Sequence, residues 1–145
     1  MATKTRGHYV VLYLLLVAGC RSNEQEDPYL AHCTAILETS LRSPSTLKVT
    51  DVEHYKVNGH TVKTEYDAAN AYDTPIRNEI RCEYPEDPYW SYKETGTEPP
   101  SPDLPLKASN LNAKRVIIGT EALSDLGVSI SNSEAIMKLH QKERK

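Results

Sequence analysis

The sequence predicts an α+β fold, in which an N-terminal and a C-terminal helix pack on a small, mainly antiparallel sheet of about four strands. Three observations lead to this prediction. An apolar stripe at helical spacing begins at Pro28, an Asn58-Gly59 turn separates two strand-like segments, and a capped helical pattern closes the chain after Gly127. Strands grouped between terminal helices indicate segregated elements, which is the α+β arrangement.

The start of the chain has the composition of an export signal. Lys4 and Arg6 are followed by an apolar segment over residues 9–18, which is shorter than the ~20 residues that cross a bilayer. Val17-Ala18-Gly19-Cys20 resembles the lipobox of bacterial lipoproteins, in which the cysteine is acylated and the chain is cut before it. The resemblance implies a cleaved signal over residues 1–19 and a lipid on Cys20. The alternatives are an ordinary secretory signal or a buried apolar helix.

The same resemblance implies a destination. In enterobacterial lipoproteins an Asp directly after the acylated cysteine favours the inner membrane, and here Arg21 holds that position. We therefore expect a lipid anchor in the outer membrane, with the protein facing the periplasm. Residues 20–27 would be the lipidated tether. Residues 28–145 would form one globular domain, because a chain of this length supports a single core, with a long proline-rich loop at 85–112.

Composition narrows the class of partner. The chain of 145 residues carries a formal charge of −3, and removal of Lys4 and Arg6 with the signal brings it near −5. A mildly acidic surface argues against nucleic acid as a partner. There are nine Tyr, one Trp and no Phe. Tyrosines at half-buried positions suit an antiparallel sheet.

The three cysteines become an even number when Cys20 is assigned to lipid. Cys33 and Cys82 then remain, and an oxidising compartment permits a disulfide between them. Closing a loop of about 50 residues would stabilise the fold by ~4 kcal/mol in the chain-entropy account. The alternative is a pair of buried free thiols.

The first predicted helix covers residues 28–42. Asp27-Pro28 has the pattern of an N-cap followed by proline at the first helical position. Leu30, Cys33, Leu37 and Leu41 then share one helical stripe. Ser43-Pro44 ends the helix, because the residue before a proline is driven out of helical conformation.

A hairpin is predicted next, from strands at 47–57 and 60–69 around Asn58-Gly59, a dipeptide typical of a two-residue type I′ turn. This turn would place Val57 opposite His60 and Tyr55 opposite Val62. His54 and His60 would then lie on opposite faces. The register also predicts a shared core face made of Leu47, Val49, Tyr55, Val57, Val62, Tyr66 and Ala68.

Residues 76–84 alternate between apolar and charged side chains and predict a third strand with one solvated face. Cys82 lies on the apolar face of this strand, and Cys33 lies on the apolar stripe of the first helix. A helix packed on the sheet would bring the two sulfurs together.

The remaining segments are a loop, a strand and a helix. Residues 85–105 contain six of the nine prolines, which predicts an extended loop with neither helix nor central strand. Residues 113–120 predict a fourth strand buried on both faces. Ser131-Asn132-Ser133-Glu134 has capping-box spacing, so we expect a closing helix over 132–141 with a basic end. That end would be either a solvated helix terminus or a surface that attracts anionic headgroups or cell-wall polymer.

The candidate partner-binding residues are Tyr89, Trp90 and Tyr92. Tyr and Trp on an exposed loop supply large, rigid contact area, as in binding hot spots. The alternative is that the aromatic rings fold back and close one end of the sheet, which a domain without Phe would need.

Metal and catalytic signatures are weak in this sequence. His32, His54, His60 and His140 do not match a ligand spacing, so we expect ordinary histidines, no metal and no cofactor. There is no GxSxG motif, and no cysteine remains free as a nucleophile. Neighbouring acids fit a solvated sheet edge or loop, namely Asp51 with Glu53 and Glu86 with Asp87.

A second resemblance involves the segment Tyr66-Asp67-Ala68-Ala69-Asn70-Ala71-Tyr72 together with Arg77 and Cys82. It resembles small secreted bacterial and phage domains with an Asn-x-Tyr-Gly turn, followed by an arginine and a cysteine bonded to an N-terminal helix. Asp73 stands where that pattern has glycine. The resemblance implies a Cys33–Cys82 bond and no particular activity.

We therefore expect an envelope lipoprotein that binds an envelope protein or has a structural role, and that is not an enzyme. This class includes exclusion factors carried by phages or plasmids. The alternative is a small periplasmic enzyme inhibitor or hydrolase with a site under the 85–105 loop.

Overall fold

The computed structural model describes residues 26–70, 72–101 and 103–145. The predicted signal over residues 1–19, the predicted lipidation of Cys20 and most of the predicted tether over 20–27 lie outside these residues. Five antiparallel strands form one sheet in the order β1-β2-β3-β4-β5, with α1 before it and α3 after it. The α+β prediction is confirmed. The elements are α1 (Pro28–Ser40), β1 (Lys48–Tyr55), β2 (His60–Ala69), β3 (Pro75–Tyr84), α2 (Trp90–Thr95), β4 (Arg115–Ile118), β5 (Glu121–Ala122) and α3 (Asp125–Glu143).

Helix α1 begins with the predicted cap. Oδ1 of Asp27 accepts hydrogen bonds from the backbone N–H groups of Tyr29 and Leu30, at 2.8 and 3.0 Å. The helix ends at Ser40, two residues before the predicted end, because Leu41 already has extended backbone with φ −86° and ψ 141°. Its buried face consists of His32, Cys33, Ala35, Ile36 and Leu37.

The predicted register of the first hairpin is wrong by one residue. Tyr55 lies opposite Thr61 and His54 lies opposite Val62. The turn holds one residue more than the predicted type I′ turn, and Gly59 adopts φ 130°. A slip of one residue moves every side chain of a strand to the other face. The side chains of Tyr55 and Val57, which were expected in the core, are therefore 47% and 78% exposed.

A β-bulge alters β1 further along the strand. The register shifts between Val49 and Asp51, so that Val49 lies opposite Tyr66. An extra residue in one strand of an antiparallel pair returns the following side chains to the other face. Val49 nevertheless stays 39% exposed, because β1 is the edge strand of the sheet. Val52, which is half-buried, supplies the apolar contact of β1 with the core.

Strand β3 confirms the predicted alternation over its second half. Ile80, Cys82 and Tyr84 are buried, and the charged residues between them face outward. Ile76 was expected on the same covered face but is 45% exposed. The reason is that β4 pairs only with residues 80–83, so the first half of β3 is flanked by β2 alone.

The proline-rich segment was expected to be wholly extended, and this expectation is wrong because it contains a short helix. The six residues of α2 form one helical turn and a half between Pro88 and Pro99, and Gly96 ends the helix in left-handed conformation with φ 66°. The prolines limit this helix but stand outside it, because a proline excludes helix only where its missing N–H and its ring would fall inside one. A second short turn, Ala108–Asn110, precedes β4.

The predicted strand over 113–120 is shorter than expected. Gly119 reverses the chain with φ 61°, and β5, which the sequence did not predict, pairs with β4 beyond it. Val116 is fully buried, whereas Ile117 and Ile118 are half-buried. The expectation of burial on both faces is therefore wrong, because β5 and the chain reversal leave one side of β4 partly open.

Helix α3 begins at Asp125, well before the predicted start at residue 132. Ser124 is the N-cap, and its hydroxyl accepts a hydrogen bond from the N–H of Gly127. The predicted capping box lies inside the helix. Asn132 stays helical because its side-chain amide bonds to the backbone of Ala113, at 2.9 Å in each direction, and so does not compete with its own helix for hydrogen bonds.

The core lies between α1 and the sheet, with α3 packed on α1 and β4. The predicted disulfide is confirmed, since Cys33 of α1 and Cys82 of β3 are bonded with their Cα atoms 5.9 Å apart. Tyr66 and Tyr84 are almost fully buried and supply aromatic volume in a chain without Phe. The largest fully buried apolar side chains are Ile36, Leu37, Ile80, Leu111, Val62 and Val116.

Candidate functional site

The structure places the predicted partner-binding residues in and next to α2. Tyr89 is the residue before the helix, and Trp90 and Tyr92 belong to it. All three side chains are half-buried. The rings of Tyr89 and Tyr92 meet edge to face with centroids 6.1 Å apart. The three aromatic residues therefore form one cluster on the proline-rich segment.

Hydrogen bonds tie this cluster to the segment before β4. Nε1 of Trp90 donates to the carbonyl of Asn112 at 3.3 Å, and the side-chain amide of Asn112 donates to the hydroxyl of Ser91 at 2.9 Å. The N–H of Tyr89 is held by Oδ1 of Asp87 at 2.9 Å. The rings have both a packed side and an accessible side, so the two roles weighed for them are compatible.

A cavity of about 850 Å³ lies where β3 leads into the proline-rich segment. Its lining includes Tyr84, Pro85 and Glu86 from the end of β3 and the start of the loop, together with Lys114, Arg115 and Asp125. It combines acidic and basic side chains close to the predicted position of a site under the 85–105 loop. No histidine, serine or cysteine is among the described residues that line it.

A buried polar group connects α1 to β3. Nδ1 of His32 lies 2.9 Å from the hydroxyl of Tyr84, and that hydroxyl donates to the carbonyl of Tyr29 at 3.3 Å. Because the hydroxyl proton goes to the carbonyl, His32 donates from Nδ1. Burial lowers the pKa of His32 to about 4. Burial also raises the pKa of Tyr84 well above its usual value, so both groups are neutral near pH 7.

The prediction that His54 and His60 lie on opposite faces is wrong. With His54 opposite Val62, both histidines lie in the row that faces the domain, and Nδ1 of His54 is 3.0 Å from Nε2 of His60. Oδ2 of Asp27 lies 3.9 Å from Nδ1 of His54. Sequence reasoning missed this cluster because the length of one turn decided which faces the histidines share.

The two histidines differ in their surroundings. The ring of His60 stacks on that of Tyr29, with centroids 3.9 Å apart and planes 6° from parallel, whereas His54 is exposed. Burial is the main cause that lowers the pKa of His60, and nearby His54 lowers it further. The lowered pKa of His60 favours its neutral ring, which has a nitrogen lone pair to offer. Together with Asp27 the two histidines are the described residues best suited to hold a metal ion, since one ligand atom from each lies within 4.8 Å of the others.

His32 and His140 do not join this cluster. His32 is enclosed in the core, and His140 lies near the end of α3 with Nδ1 3.8 Å from the carboxylate of Glu143. The four histidines considered in the sequence therefore occupy three separate environments. Of these, the Asp27–His54–His60 cluster brings ligand atoms from α1, β1 and β2 to one point.

The domain defined by this fold is a disulfide-linked α+β unit with an aromatic segment and a histidine cluster on its surface. Comparisons of the chain with protein-family models, curated proteins and solved structures found no match. In the part of the chain that the structure describes, no helix combines the length and the apolar character needed to cross a bilayer.

Proposed function

We propose that this chain is a membrane-anchored lipoprotein of the bacterial envelope that acts by binding an envelope protein or through a structural role. The observation that carries the proposal is the Val17-Ala18-Gly19-Cys20 motif after a basic start and a short apolar segment. Two or more acyl chains give a stable anchor at ~0.8 kcal/mol per buried methylene, whereas one chain holds only marginally.

The folded part of the chain is consistent with this anchor. The first described helix begins at Pro28, so that only a short polar segment separates it from Cys20. A tether of this kind needs no structure of its own. The Cys33–Cys82 bond supports an oxidising compartment, because disulfides are rare in a reducing cytosol. Arg21 after the acylated cysteine supports an outer-membrane location by resemblance.

The anchor is tested by fractionation of cells that produce Cys20→Ala. We expect the wild-type chain in the membrane fraction and the variant in the soluble fraction, with its signal uncut by signal peptidase II. Arg21→Asp is the matched variant, since it keeps the lipid and should shift the protein to the inner membrane. An unchanged membrane distribution of Cys20→Ala would contradict the proposal.

The binding surface in this proposal is the cluster of Tyr89, Trp90 and Tyr92, which presents half-buried aromatic rings on a short helix. Because Trp90 also bonds to Asn112, its removal affects packing as well as binding. Tyr92→Ala is therefore compared with Trp90→Ala in crosslinking from intact cells, together with the melting temperature. Loss of a crosslinked envelope protein at unchanged melting temperature supports binding. Unchanged crosslinking with a lower melting temperature would assign the cluster to packing.

The mixed charges of the 850 Å³ cavity favour a second candidate, an enzyme inhibitor or hydrolase with its site under the 85–105 loop. Glu86 and Arg115 both line the cavity, and their opposite charges could engage the active-site charges of a target or a polar substrate. Glu86→Gln and Arg115→Gln would then abolish the inhibition or hydrolysis. Under the first proposal they leave partner capture by the aromatic cluster unchanged.

Of the two roles considered for the basic end of α3, its ion pairs favour that of a solvated helix terminus. Lys138 is paired with Glu38 of α1, and Lys142 lies 3.2 Å from the carboxylate of Glu26. The charges of these two lysines are partly neutralised by the paired carboxylates, so they attract an anionic lipid surface less strongly.

A further inference from the structure

We propose that Asp27, His54 and His60 form a binding site for a divalent transition-metal ion, with Zn²⁺ as the representative. The inference does not depend on the lipid anchor or on the aromatic cluster. It rests on the convergence of three ligand atoms, on the way in which their side chains are held, and on the donor chemistry of the set.

The convergence comes from three elements. Asp27 caps α1, His54 lies near the end of β1, and His60 begins β2. The two imidazole nitrogens are 3.0 Å apart, and the carboxylate oxygen is 3.9 Å from the nearer one. Around a tetrahedral Zn²⁺ with bonds of ~2.0–2.2 Å, neighbouring ligand atoms lie ~3.3 Å apart. These two distances bracket that value, and all three ligand atoms lie within 4.8 Å of one another. Side-chain shifts of about 1–1.5 Å therefore suffice for coordination.

The side chains are oriented before any ion arrives. Both cap hydrogen bonds of α1 are accepted by Oδ1 of Asp27, which leaves Oδ2 directed toward His54. The ring of His60 is held flat against Tyr29. A ligand oriented by its surroundings loses less conformational freedom on binding, and partners of this kind accompany the ligands in known metal sites.

Two imidazole nitrogens and one carboxylate oxygen favour zinc and related ions over hard cations. Imidazole suits Zn²⁺, Cu²⁺ and Ni²⁺, whereas Mg²⁺ and Ca²⁺ take oxygen ligands almost exclusively. Three protein ligands leave one tetrahedral position open. A cavity of about 490 Å³ lined by Asp27 and His60 gives that position room for a water molecule or a ligand from a partner. Glu86 and Lys56 also line this cavity and carry opposite charges.

Metal binding requires one proton to move. In the hydrogen bond between His54 and His60, one ring nitrogen carries the proton and the other accepts it. When both of these nitrogens bind the ion, the donor ring must release that proton. Its other ring nitrogen takes up a proton from solvent, so the net charge of the ring does not change. Each ring then binds the ion through a nitrogen lone pair, and the Asp27 carboxylate offsets one of the two charges of the ion.

The ion would join the start of α1 to the β1–β2 hairpin. Among the described residues, the disulfide links the same helix to β3 at Cys33 and Cys82. The metal site would thus be a second, reversible link between helix and sheet, at the end of the domain where the chain enters from Cys20. Its open position makes this end a candidate for contact with a partner that supplies a fourth ligand.

The test is calorimetric titration with ZnCl₂ of the full-length chain carrying Cys20→Ala, purified with its disulfide intact. This background removes a thiol that would itself bind zinc. The variants are His54→Ala, His60→Ala and Asp27→Asn, and the matched control is His140→Ala. Asp27→Asn retains a good helix cap, so it tests the carboxylate without loss of the fold. Circular dichroism checks the fold of each variant.

We expect one Zn²⁺ per chain and an affinity at least about tenfold lower in each of the three variants, because even an outer partner of a ligand is worth about 10–100-fold. The His140→Ala variant should bind as its parent does. In ¹⁵N spectra, the imidazole resonances of His54 and His60 should shift together on addition of zinc. The absence of binding, equal weakening by His140→Ala, or equal binding of Mg²⁺ would each overturn the proposal.

Discussion

His32 donates a hydrogen bond from Nδ1 to the hydroxyl of Tyr84, 2.9 Å away, and so joins α1 to β3 in the buried interior. The two residues flank the disulfide, because His32 precedes Cys33 and Tyr84 stands two residues after Cys82. The opposite ring nitrogen, Nε2, has no hydrogen-bond partner among the described residues. A proton added there would be buried without compensation, which is why the imidazole stays neutral.

The first prediction concerns acid stability. The pKa of His32 is about 4 in the folded protein and ~6.5 in an unfolded chain. As the pH falls from 6.5 to 4, the unfolded chain takes up a proton that the folded protein refuses, so the free energy of unfolding decreases by about 3 kcal/mol. Urea unfolding between pH 7 and pH 4 measures this loss. In His32→Leu this part of the pH dependence should vanish. If the free energy of unfolding changed equally with pH in both proteins, the loss could not be assigned to His32.

The second prediction concerns the partner hydroxyl. Tyr84→Phe removes the acceptor of His32 and the donor to the carbonyl of Tyr29. A buried polar group left without a partner costs about 1–3 kcal/mol, so we expect destabilisation in that range. The control is Tyr55→Phe, which removes an exposed hydroxyl bonded to Glu53 and should change stability by less than about 0.5 kcal/mol. Equal effects of the two substitutions in urea unfolding would argue against a buried contact.

The third prediction concerns the first hairpin. A Cβ at Gly59 would lie 2.2 Å from the backbone oxygen of Tyr84, and Gly59 has φ 130°. Gly59→Ala therefore strains the backbone and also pushes the turn away from β3. Gly96 has φ 66° with nothing within 4 Å of an added Cβ, so Gly96→Ala isolates the cost of left-handed backbone, about 1–2 kcal/mol. Thermal melts should show the larger loss for Gly59→Ala.

The fourth prediction concerns the link between α3 and the segment before β4. The amide of Asn132 bonds to both backbone polar groups of Ala113. Asn132→Leu leaves these two groups unsatisfied and should cost about 2–6 kcal/mol, at about 1–3 kcal/mol for each group. Ser133→Ala, at the next position, removes an exposed hydroxyl that bonds within its own helix and serves as the control. A neutral Asn132→Leu in urea unfolding would contradict the structural role.

The fifth prediction concerns the disulfide. Replacing both Cys33 and Cys82 by alanine opens a loop with a sequence separation of 49. The chain-entropy account predicts that the free energy of unfolding falls by about 4 kcal/mol. The space left by the two buried sulfur atoms adds to this loss. The melting temperature of the double variant, compared with that of the wild type in oxidising buffer, measures the loss. A reductant should lower the melting temperature of the wild type alone.

Local chemistry in the sequence was enough for several features of the fold. The Asp27-Pro28 cap depends on near neighbours, and the alternation from Ile80 to Tyr84 depends on a single periodicity. The pairing of Cys33 with Cys82 followed from two periodicities, which place one cysteine on the apolar stripe of α1 and the other on the apolar face of β3. The antiparallel hairpin of the first two strands also followed from Asn58-Gly59, although its register did not.

Other features depend on contacts between segments far apart in the chain. Asn132 has the local pattern of a helix start, yet it lies inside α3 because Ala113 satisfies its amide. His54 and His60 share a face because the hairpin turn is one residue longer than Asn58-Gly59 favours, and packing of Gly59 against Tyr84 goes with that turn. Tertiary packing therefore decided both the register and the clustering of the two histidines with Asp27. The physical reason is that the free-energy differences between turn lengths and cap positions are small, so long-range contacts outweigh local preference.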